Sequence, residues 1–263
     1  MSTIQLEGVS LYVEQHGSGS PVLLLHGLGS SGQDWELVAP RLAAHHRVIV
    51  PDVRGHGRSD KPAGDYGVPL FARDVAALCD RLGLSGVHVV GLSMGGMIAF
   101  ELAVRRPDLV RSLVIVNSGP DMVPRTLGFR IALGTRLLLL RLVGPAGLAR
   151  VLARKLFPKP EQEALRLRVQ QRLAQNDRDV YLRATRGLIG WTVLDRLQEI
   201  TCPVLVLASD RDYTKVSVKE AYVARLKDAR LEVLKDSGHA APGDQPEQVT
   251  DAILRFLRGV APS

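Results

Sequence analysis

The sequence predicts an α/β protein built on a doubly wound, mostly parallel sheet of eight strands. Five runs are apolar at nearly every position, which is typical of strands buried on both faces of a parallel sheet. These runs read "PVLLLHG", "RVIVPD", "GVHVVG", "SLVIVNS" and "CPVLVLASD". Helical patterns lie between most of them, so right-handed crossovers should connect the strands. A length of 263 residues fits one large α/β domain or two small ones.

The other three strands come from the two ends of the chain. Near the start, "IQLEGVSLYVEQ" alternates apolar and polar residues around Gly8, which predicts a hairpin of two half-buried strands. Near the end, "ARLEVLK" supplies the last strand. Together with the five apolar runs, these patterns account for eight strands.

Four helices are predicted around the sheet. The patterns "DWELVAPRLAAH" and "VPLFARDVAALCDRLGL" follow the first and second apolar runs. The segment "MIAFELAVRRP" is helical until Pro107, and "PEQVTDAILRFLRG" closes the chain with Gly259 as its terminator. Each helix therefore falls between strands or after the last one, as a doubly wound sheet requires.

The alternation of strands and helices breaks between Asp121 and Asp195. This segment has no clear strand and is predicted to form three or four helices rich in leucine and arginine, interrupted at Gly144-Pro145 and at Pro158–Pro160. We interpret it as a helical cap inserted after the sixth strand. The predicted domains are a first core part at 1–120, the cap at 121–195 and a second core part at 196–263.

The positive charge of the chain is concentrated in this cap. The net charge is +7, yet the cap holds 14 Lys and Arg against 6 Asp and Glu, and the rest of the chain holds 20 against 21. A solvated basic face is the favoured interpretation. Arginines interleaved with leucines are also typical of interfacial membrane helices, so peripheral membrane contact through the cap is the alternative. Nucleic-acid binding is not expected, because exposed aromatic residues and any recognised module are missing.

Composition also argues against metal and redox sites. Cys79 and Cys202 form no CxxC or Cys/His cluster, and both are predicted to be small buried apolar residues. No metal and no cofactor are expected. The opening "MSTIQLEGVSLYVE" lacks the features of a signal peptide, and the dense apolar run Leu137–Leu140 is too short to span a bilayer. A soluble, cytoplasmic protein is therefore expected.

The stretch "GLSMGG" contains the candidate nucleophile, Ser93. A strand-to-helix turn that presents a serine hydroxyl needs small residues two positions to either side, and Gly91 and Gly95 stand there. An apolar strand precedes the turn and a helix follows it. The pattern alone also fits an ordinary glycine-rich connection, so the context decides in favour of a nucleophile.

A serine needs a base, and the base needs an acid to orient it. Of the seven histidines, only His239 lies in a loop between the last strand and the last helix, where parallel sheets place their chemistry. The acid should precede it in the chain, at a strand end. Asp212 is favoured, and Asp210 and Asp121 stay open as alternatives.

Five motifs in this order resemble the α/β-hydrolase superfamily, in its single-domain capped branch. They are "HGLG", "DVRGHGRSD", "GLSMGG", "SDRD" and "SGHAAPGDQPE". The resemblance implies that the backbone amides of Leu28 and Met94 form an oxyanion hole. It also implies that "DVRGHGRSD" is a scaffold turn beside the site. The family usually has glycine where Ser209 stands.

A serine nucleophile suits acyl transfer and argues against the dehalogenases and epoxide hydrolases of that family. Met94 beside it resembles the esterases, enol-lactonases and C–C hydrolases. We predict a cofactor-free serine hydrolase of carboxylic esters that are small molecules, with medium or long acyl chains favoured by the leucine-rich cap. The alternatives are a lactonase or C–C hydrolase of aromatic breakdown, and a non-catalytic binding or membrane-associated protein. The candidate pocket residues are His26, Trp35, Met97, Met122 and Trp191.

Overall fold

The computed structural model describes residues 1–260, and its centre is one eight-stranded sheet. The strand order is β1-β2-β4-β3-β5-β6-β7-β8. The pairs β1–β2 and β2–β4 are antiparallel, and every other neighbouring pair is parallel. The strands are β1 Ser2–Leu6, β2 Val9–His16, β3 Pro21–Leu25, β4 Arg47–Pro51, β5 Val87–Leu92, β6 Val110–Val116, β7 Val204–Ser209 and β8 Ala229–Leu234. The predicted doubly wound, mostly parallel sheet is confirmed.

Helices cover both faces of this sheet and fill the segment between β6 and β7. They are α1 Ala39–Ala43, α2 Val68–Arg81, α3 Met94–Arg105, α4 Leu127–Leu156, α5 Glu163–Ala174, α6 Arg178–Leu188, α7 Val216–Val223, α8 Ala241–Asp244 and α9 Pro246–Arg258. Short 3₁₀ helices occur at Gly32–Trp35, Pro160–Gln162 and Leu194–Glu199.

The apolar strand runs have the burial that their composition predicts. Every residue of β5 and β7 is buried, because helices pack against both faces of the central sheet. One core cluster joins α2 and α3 to one face and includes Phe71 and Phe100. The other joins α1 and α9 to the opposite face and includes Leu42 and Phe256. Burying each such side chain stabilises the fold by about 1.5–3 kcal/mol.

Two local predictions need correction. The pattern "DWELVAPRLAAH" is not one helix: the 3₁₀ helix ends at Trp35, and α1 starts afresh with Pro40 in its first turn. Proline has no N–H to continue a preceding helix, but it fits the first turn of a new one. Cys79 is fully buried as expected, whereas Cys202 is only partly buried, just before β7.

The chain between β6 and β7 forms a helical layer built from α4, α5 and α6. An isolated β-bridge pairs Asp121 with Thr192, so the two ends of this segment lie side by side. Thr126 caps α4 by accepting a hydrogen bond from the Phe129 N–H at 3.2 Å. Within α4 the backbone breaks at Gly144, at φ 67° and ψ −176°, directly before Pro145. The predicted boundaries at 121 and 195 stay predictions.

Helix α4 is longer and more apolar than the four-leucine run suggested. An 18-residue window within its 30 residues has a mean hydropathy of 1.5, and only 17% of that window is buried. By length and composition alone this helix could cross a membrane. The break at Gly144 interrupts it, and Leu127, Leu138 and Leu142 on its outward face are exposed.

Candidate active site

Ser93 stands on a strained turn between β5 and α3. Its backbone has φ 52° and ψ −114°, a conformation that is rare for a residue with a side chain. The Ser93 N–H donates to the carbonyl of Val116 at 3.0 Å, and the Ser93 carbonyl accepts from the N–H of Gly96 at 2.9 Å. Hydrogen bonds on both sides therefore hold the strained residue between β6 and the first turn of α3.

The glycines around Ser93 are explained by close backbone approach. A Cβ atom on Gly91 would lie 2.3 Å from the Gly95 carbonyl carbon. A Cβ atom on Gly95 would lie 2.1 Å from the Leu25 carbonyl oxygen. Both contacts are with backbone atoms that cannot move aside cheaply, so only glycine fits at either position.

The turn after β3 reaches the nucleophile. A Cβ atom on Gly27 would lie 3.8 Å from Ser93 Cβ, so the two turns touch. The partly buried Asp34 carboxylate accepts from the Gly27 N–H at 3.1 Å and from the Ser30 hydroxyl. Burial raises the pKa of this carboxyl above its ordinary value, although these hydrogen bonds oppose the rise. Leu28 follows Gly27 directly, which places its amide on a turn that Asp34 holds still.

Met94 is the first residue of α3. The first N–H groups of a helix have no acceptor within the helix, and they lie at the positive end of its dipole. The amides of Leu28 and Met94 therefore belong to the two turns that border Ser93. This is the arrangement that a pair of oxyanion donors requires.

His239 and Asp212 are in direct contact. His239 Nδ1 lies 2.6 Å from Asp212 Oδ1, and the second carboxylate oxygen lies 2.5 Å from Lys219 Nζ. Lys219 is itself buried, with 1% of its surface exposed. Burial alone would raise the pKa of Asp212, but the hydrogen bond from His239 and the nearby charges of His239 and Lys219 outweigh it and lower the pKa. Asp212 is thus kept ionised and can orient the imidazole. Sequence reasoning missed Lys219, which no local pattern marks.

The end of β6 ties the nucleophile to the histidine loop. Ser118 Oγ donates to the Ser93 carbonyl at 2.6 Å. The side-chain amide of the preceding residue, Asn117, donates to the carbonyls of Gly238 and His239 at 3.1 and 3.0 Å. Ser93 and His239 are therefore anchored to consecutive residues. Among the hydrogen bonds recorded for residues 1–260, none joins Ser93 Oγ directly to His239, a contact that often tightens only with substrate.

Ser209 belongs to the same network. Its N–H donates to Asn117 Oδ1 at 2.8 Å, and its hydroxyl accepts from Asn117 Nδ2 at 2.8 Å. The hydroxyl also lies 2.9 Å from Ser237 Oγ. A glycine here would lack these side-chain bonds, so the serine adds a link between β7 and the histidine loop.

Within residues 1–260, neither alternative acid is hydrogen-bonded to His239. Asp210 accepts from the N–H groups of Asp236 and Ser237 at 2.9 and 3.0 Å, so it caps the loop. Asp121 pairs with Arg125 at the base of the cap. The hydrogen-bonded partner of the histidine is Asp212.

Comparison with known proteins gives the family. A family model described as the alpha/beta hydrolase fold matches residues 20–246. The chain belongs to the α/β-hydrolase family. It is therefore a hydrolase, and the predicted resemblance is confirmed.

Similar proteins carry hydrolase names. A putative carbamate hydrolase, RutD, from Caulobacter sp. (strain K31) is 32% identical, over 95% of this chain and 97% of its own. A thermophilic esterase from Thermogutta terrifontis, solved with malate bound, is 29% identical with a TM-score of 0.87, covering 96% and 94% of the two chains. Est816, described as an N-acyl homoserine lactone degrading enzyme, is 28% identical with a TM-score of 0.83, covering 97% and 100%.

Two of the five predicted pocket residues are fully buried. Trp35 belongs to the core cluster between the sheet, α1 and α9. His26 is also fully buried: its Nε2 accepts from the Val53 N–H at 3.0 Å, and its Nδ1 lies 2.8 Å from the Gly27 carbonyl. Both ring nitrogens are thus occupied by the backbone.

The other three predicted pocket residues, Trp191, Met97 and Met122, differ in their surroundings. Trp191 Nε1 donates to Glu101 Oε2 at 2.8 Å, so this indole is held by α3 as a packing residue. Met97 is buried one turn after Met94, and Met122 is only partly buried and packs against the same cluster. These two methionines stay candidate lining residues.

The "DVRGHGRSD" turn is a scaffold, as the resemblance implied. The Asp52 carboxylate accepts from the N–H groups of Gly32 and Arg58 at 2.7 and 2.8 Å. Arg54 forms a buried two-point ion pair with Asp74 at 2.6 and 2.8 Å. Burial lowers the pKa of His56 to about 3, so its ring is neutral. Within residues 1–260, no group of three or more His, Cys, Asp or Glu is placed to hold a metal ion.

Tyr213 is a further residue that sequence reasoning missed. Its ring stacks on the His239 imidazole, with ring centroids 4.4 Å apart and planes inclined by 22°. Its N–H donates to Asp212 Oδ1 at 2.7 Å. The only sequence signal for it is its position directly after the acid.

A wide surface groove lies away from this site. It has a volume of about 580 Å³ and runs between α2 and the last turns of α3. Leu102, which lines it, lies nine residues after Ser93, about 13 Å along the helix axis. The groove is therefore separate from the catalytic turn.

Proposed function

We propose that this protein is a serine hydrolase that cleaves carboxylic esters through an acyl-enzyme. The observation that carries the proposal is the contact of 2.6 Å between His239 and Asp212, beside a serine held at φ 52°. The hydrogen bonds that tie the histidine loop to Asn117 and Ser93 to Ser118, two consecutive residues after β6, support it further. Esterases among the similar structures agree with this chemistry.

In the first half of the reaction, Ser93 Oγ attacks the ester carbonyl carbon while its proton passes to His239 Nε2. Asp212 stabilises the imidazolium that forms. The amides of Leu28 and Met94 donate to the developing oxyanion, and each donor of this kind contributes about 3–4 kcal/mol to transition-state stabilisation. The alcohol oxygen then takes the proton from His239 as its bond to carbon breaks.

In the second half, water attacks the acyl group on Ser93. His239 accepts a proton from the water, and a second tetrahedral intermediate forms in the same oxyanion site. Collapse of this intermediate breaks the bond to Ser93 Oγ, which recovers its proton from His239. The products are one carboxylic acid and one alcohol, and the protein is unchanged.

The cap supplies an apolar wall beside the oxyanion turn. Leu140 and Leu148 of α4 are buried with Tyr181, and Leu28 packs against the same cluster. An acyl chain bound near Leu28 would therefore meet apolar surface, which favours medium or long chains. Other cap leucines face solvent, so this wall is smaller than the composition suggested.

The decisive experiment compares wild type with Ser93→Ala on nitrophenyl esters of increasing chain length. The variant should lose turnover by about 10³-fold or more while unfolding at the same temperature. A fluorophosphonate probe should label wild type only. Ser85→Ala, on an exposed loop, serves as the matched control and should keep full activity. Unchanged turnover in Ser93→Ala would refute the proposal, and a preference for short chains would refute the acyl-wall argument.

Lactone opening is the second candidate activity. It uses the same acyl-enzyme, and Est816 is described as a lactone degrading enzyme. Parallel rates on a linear ester and on a lactone of equal carbon number separate the two candidates. C–C bond hydrolysis predicts activity on diketones instead, and a non-catalytic protein predicts no probe labelling at all.

A further inference from the structure

Arg136 differs from the other arginines of α4 because it points inward. It is partly buried, and its Nη2 donates to the hydroxyl of Tyr181 at 2.9 Å. Its Nε–H is shielded from solvent and has no acceptor. Among residues 1–260, no carboxylate forms an ion pair with it, whereas Arg168 and Arg172 of α5 both pair with Glu36.

Arg136 is held by Tyr181, a residue that borders the catalytic turns. The Arg136 guanidinium carbon lies 5.9 Å from the centroid of the Tyr181 ring. Tyr181 in turn lies against the oxyanion turn, since a Cβ atom on Gly29 would be 2.7 Å from its ring. Arg136 is therefore one side chain away from the oxyanion turn.

A shielded guanidinium donor without an acceptor is costly to the folded chain, unless a ligand supplies the acceptor. A carboxylate matches the planar fork of a guanidinium and would satisfy Nε together with a second N–H. We infer that Arg136 binds a carboxylate carried by the substrate, which makes acidic esters the preferred substrate class. This inference rests on the proposed hydrolase function and names the substrate for the same site.

The test compares two nitrophenyl esters that differ in charge: the hemiester of glutaric acid, which carries a carboxylate, and the neutral valerate. Arg136→Met should lower kcat/KM for the hemiester by about 10- to 100-fold and change that for valerate by less than about threefold. Arg136→Lys should recover part of the loss, because charge remains but the fork does not. Arg150→Met, an exposed arginine on the same helix, should change neither rate.

Equal losses on both esters in Arg136→Met would overturn the inference, because they would mean a packing role only. No loss on either ester would overturn it too. A binding measurement keeps the test separate from turnover: glutarate should raise the Tm of Ser93→Ala, and the added Arg136→Met change should abolish that shift. If Ser93→Ala keeps full turnover but glutarate still raises the Tm only when Arg136 is present, the proposed function is wrong and the carboxylate site is confirmed.

The outward face of α4 exposes a stripe of large aliphatic side chains. Leu127, Ile131, Leu138 and Leu142 lie on one stripe of the helix, at spacings of 4, 7 and 4 residues. They are 73%, 59%, 55% and 70% exposed. Four large aliphatic side chains in one continuous exposed stripe are unusual on a soluble surface, and such stripes mark contact sites.

Charge decides what this stripe contacts. Arg130 and Arg141 are both exposed along one edge of this stripe, within a segment, 121–195, that has eight more basic than acidic residues. A second copy packed stripe to stripe would bring like charges together. We propose that this face of α4 docks on an anionic lipid bilayer, with the leucines in the interface and the arginines at the headgroups.

Co-sedimentation with vesicles tests this docking. Wild type should bind vesicles of phosphatidylcholine with 30% phosphatidylglycerol, and bind pure phosphatidylcholine at least about fivefold less. The double variant Ile131→Glu/Leu138→Glu should lose binding by about tenfold and keep wild-type turnover of a soluble ester. Leu167→Glu, which replaces an exposed leucine of α5, is the matched control and should bind normally. Vesicle binding unaffected by the double variant, or a wild-type dimer that this variant dissociates, would overturn the proposal.

Discussion

At the scale of single residues, the strain at Ser93 is possible only because its neighbours have no side chains. The Gly95 backbone packs against the carbonyl of Leu25, a core strand residue, and Gly91 packs against Gly95 itself. The energy of the strained turn is supplied by the sheet and by α3, which fix the chain on both sides. The serine is thereby held at the carboxyl end of β5 before any substrate binds.

We predict opposite effects of alanine at two glycines. Gly95→Ala should destabilise the protein by about 3 kcal/mol, because the new Cβ overlaps the Leu25 carbonyl oxygen. Gly134→Ala, in α4, has open space at the Cβ position and should stabilise by about 0.5–1 kcal/mol. Urea unfolding measures both changes. An unchanged free energy of unfolding in Gly95→Ala would contradict the backbone clash.

Lys219 offers a second residue-scale prediction. Its ammonium group binds the second oxygen of the Asp212 carboxylate, which also contacts His239. Lys219→Met should lower the free energy of unfolding by about 3–5 kcal/mol, because it leaves one partner of a buried ion pair without the other. Urea unfolding measures this loss. Lys215→Met, at an exposed position outside this pair, is the control, and equal stability of the two variants would contradict the argument.

At the scale of elements, the site is assembled where β6 and β7 end side by side. Asn117 follows β6 and bonds to Ser209 of β7, although 92 residues separate them in the chain. The same side chain holds the loop that carries His239. Helices α4, α5 and α6 lie between these two neighbouring strands in the sequence, so this helical layer begins and ends beside the strand ends that build the site.

Asn117→Ala should loosen this junction. Its side chain takes part in bonds to Ser209, Gly238 and His239, so we expect a loss of about 3 kcal/mol in the free energy of unfolding. Turnover should fall as well, because the histidine loop is no longer held. Asn117→Asp keeps the size and the acceptor for the Ser209 N–H but loses the donors, and it should also reduce turnover. Full activity in both variants would show that the loop is positioned without Asn117.

At the scale of the whole molecule, buried neutral histidines link stability to pH. Burial lowers the pKa of His56 to about 3 and that of His88 to about 4, from an ordinary value of 6.5. Between those values the unfolded chain binds more protons than the folded chain. The free energy of unfolding should therefore fall as pH drops below 6.5, by about 1.4 kcal/mol per pH unit for each histidine.

Urea unfolding between pH 6 and pH 5 measures this slope. The variant His88→Gln should reduce the slope by about 1.4 kcal/mol per pH unit. The exposed His45→Gln should leave it unchanged. An unchanged slope in His88→Gln would show that this histidine is not held neutral by the fold.

Much of the architecture was predictable because it depends on local patterns. Continuous apolar runs predicted the strands of the parallel sheet, and glycine spacing predicted the turn at Ser93, since both are properties of neighbouring residues. The pairing of His239 with an aspartate followed from chain order. The pocket is harder to predict: Trp35, His26 and Trp191 are buried, and a large aromatic or a histidine near a motif does not reveal which way it faces.

By itself, then, the sequence determined the order of the strands, most of the helices around the sheet and the strained serine turn. Only the tertiary structure decided which aspartate meets His239, that Lys219 shares its carboxylate, and that Arg136 points inward while Leu138 faces solvent. The physical reason is distance along the chain. Contacts between residues tens of positions apart depend on how strand ends meet in the sheet, and no local pattern encodes that meeting.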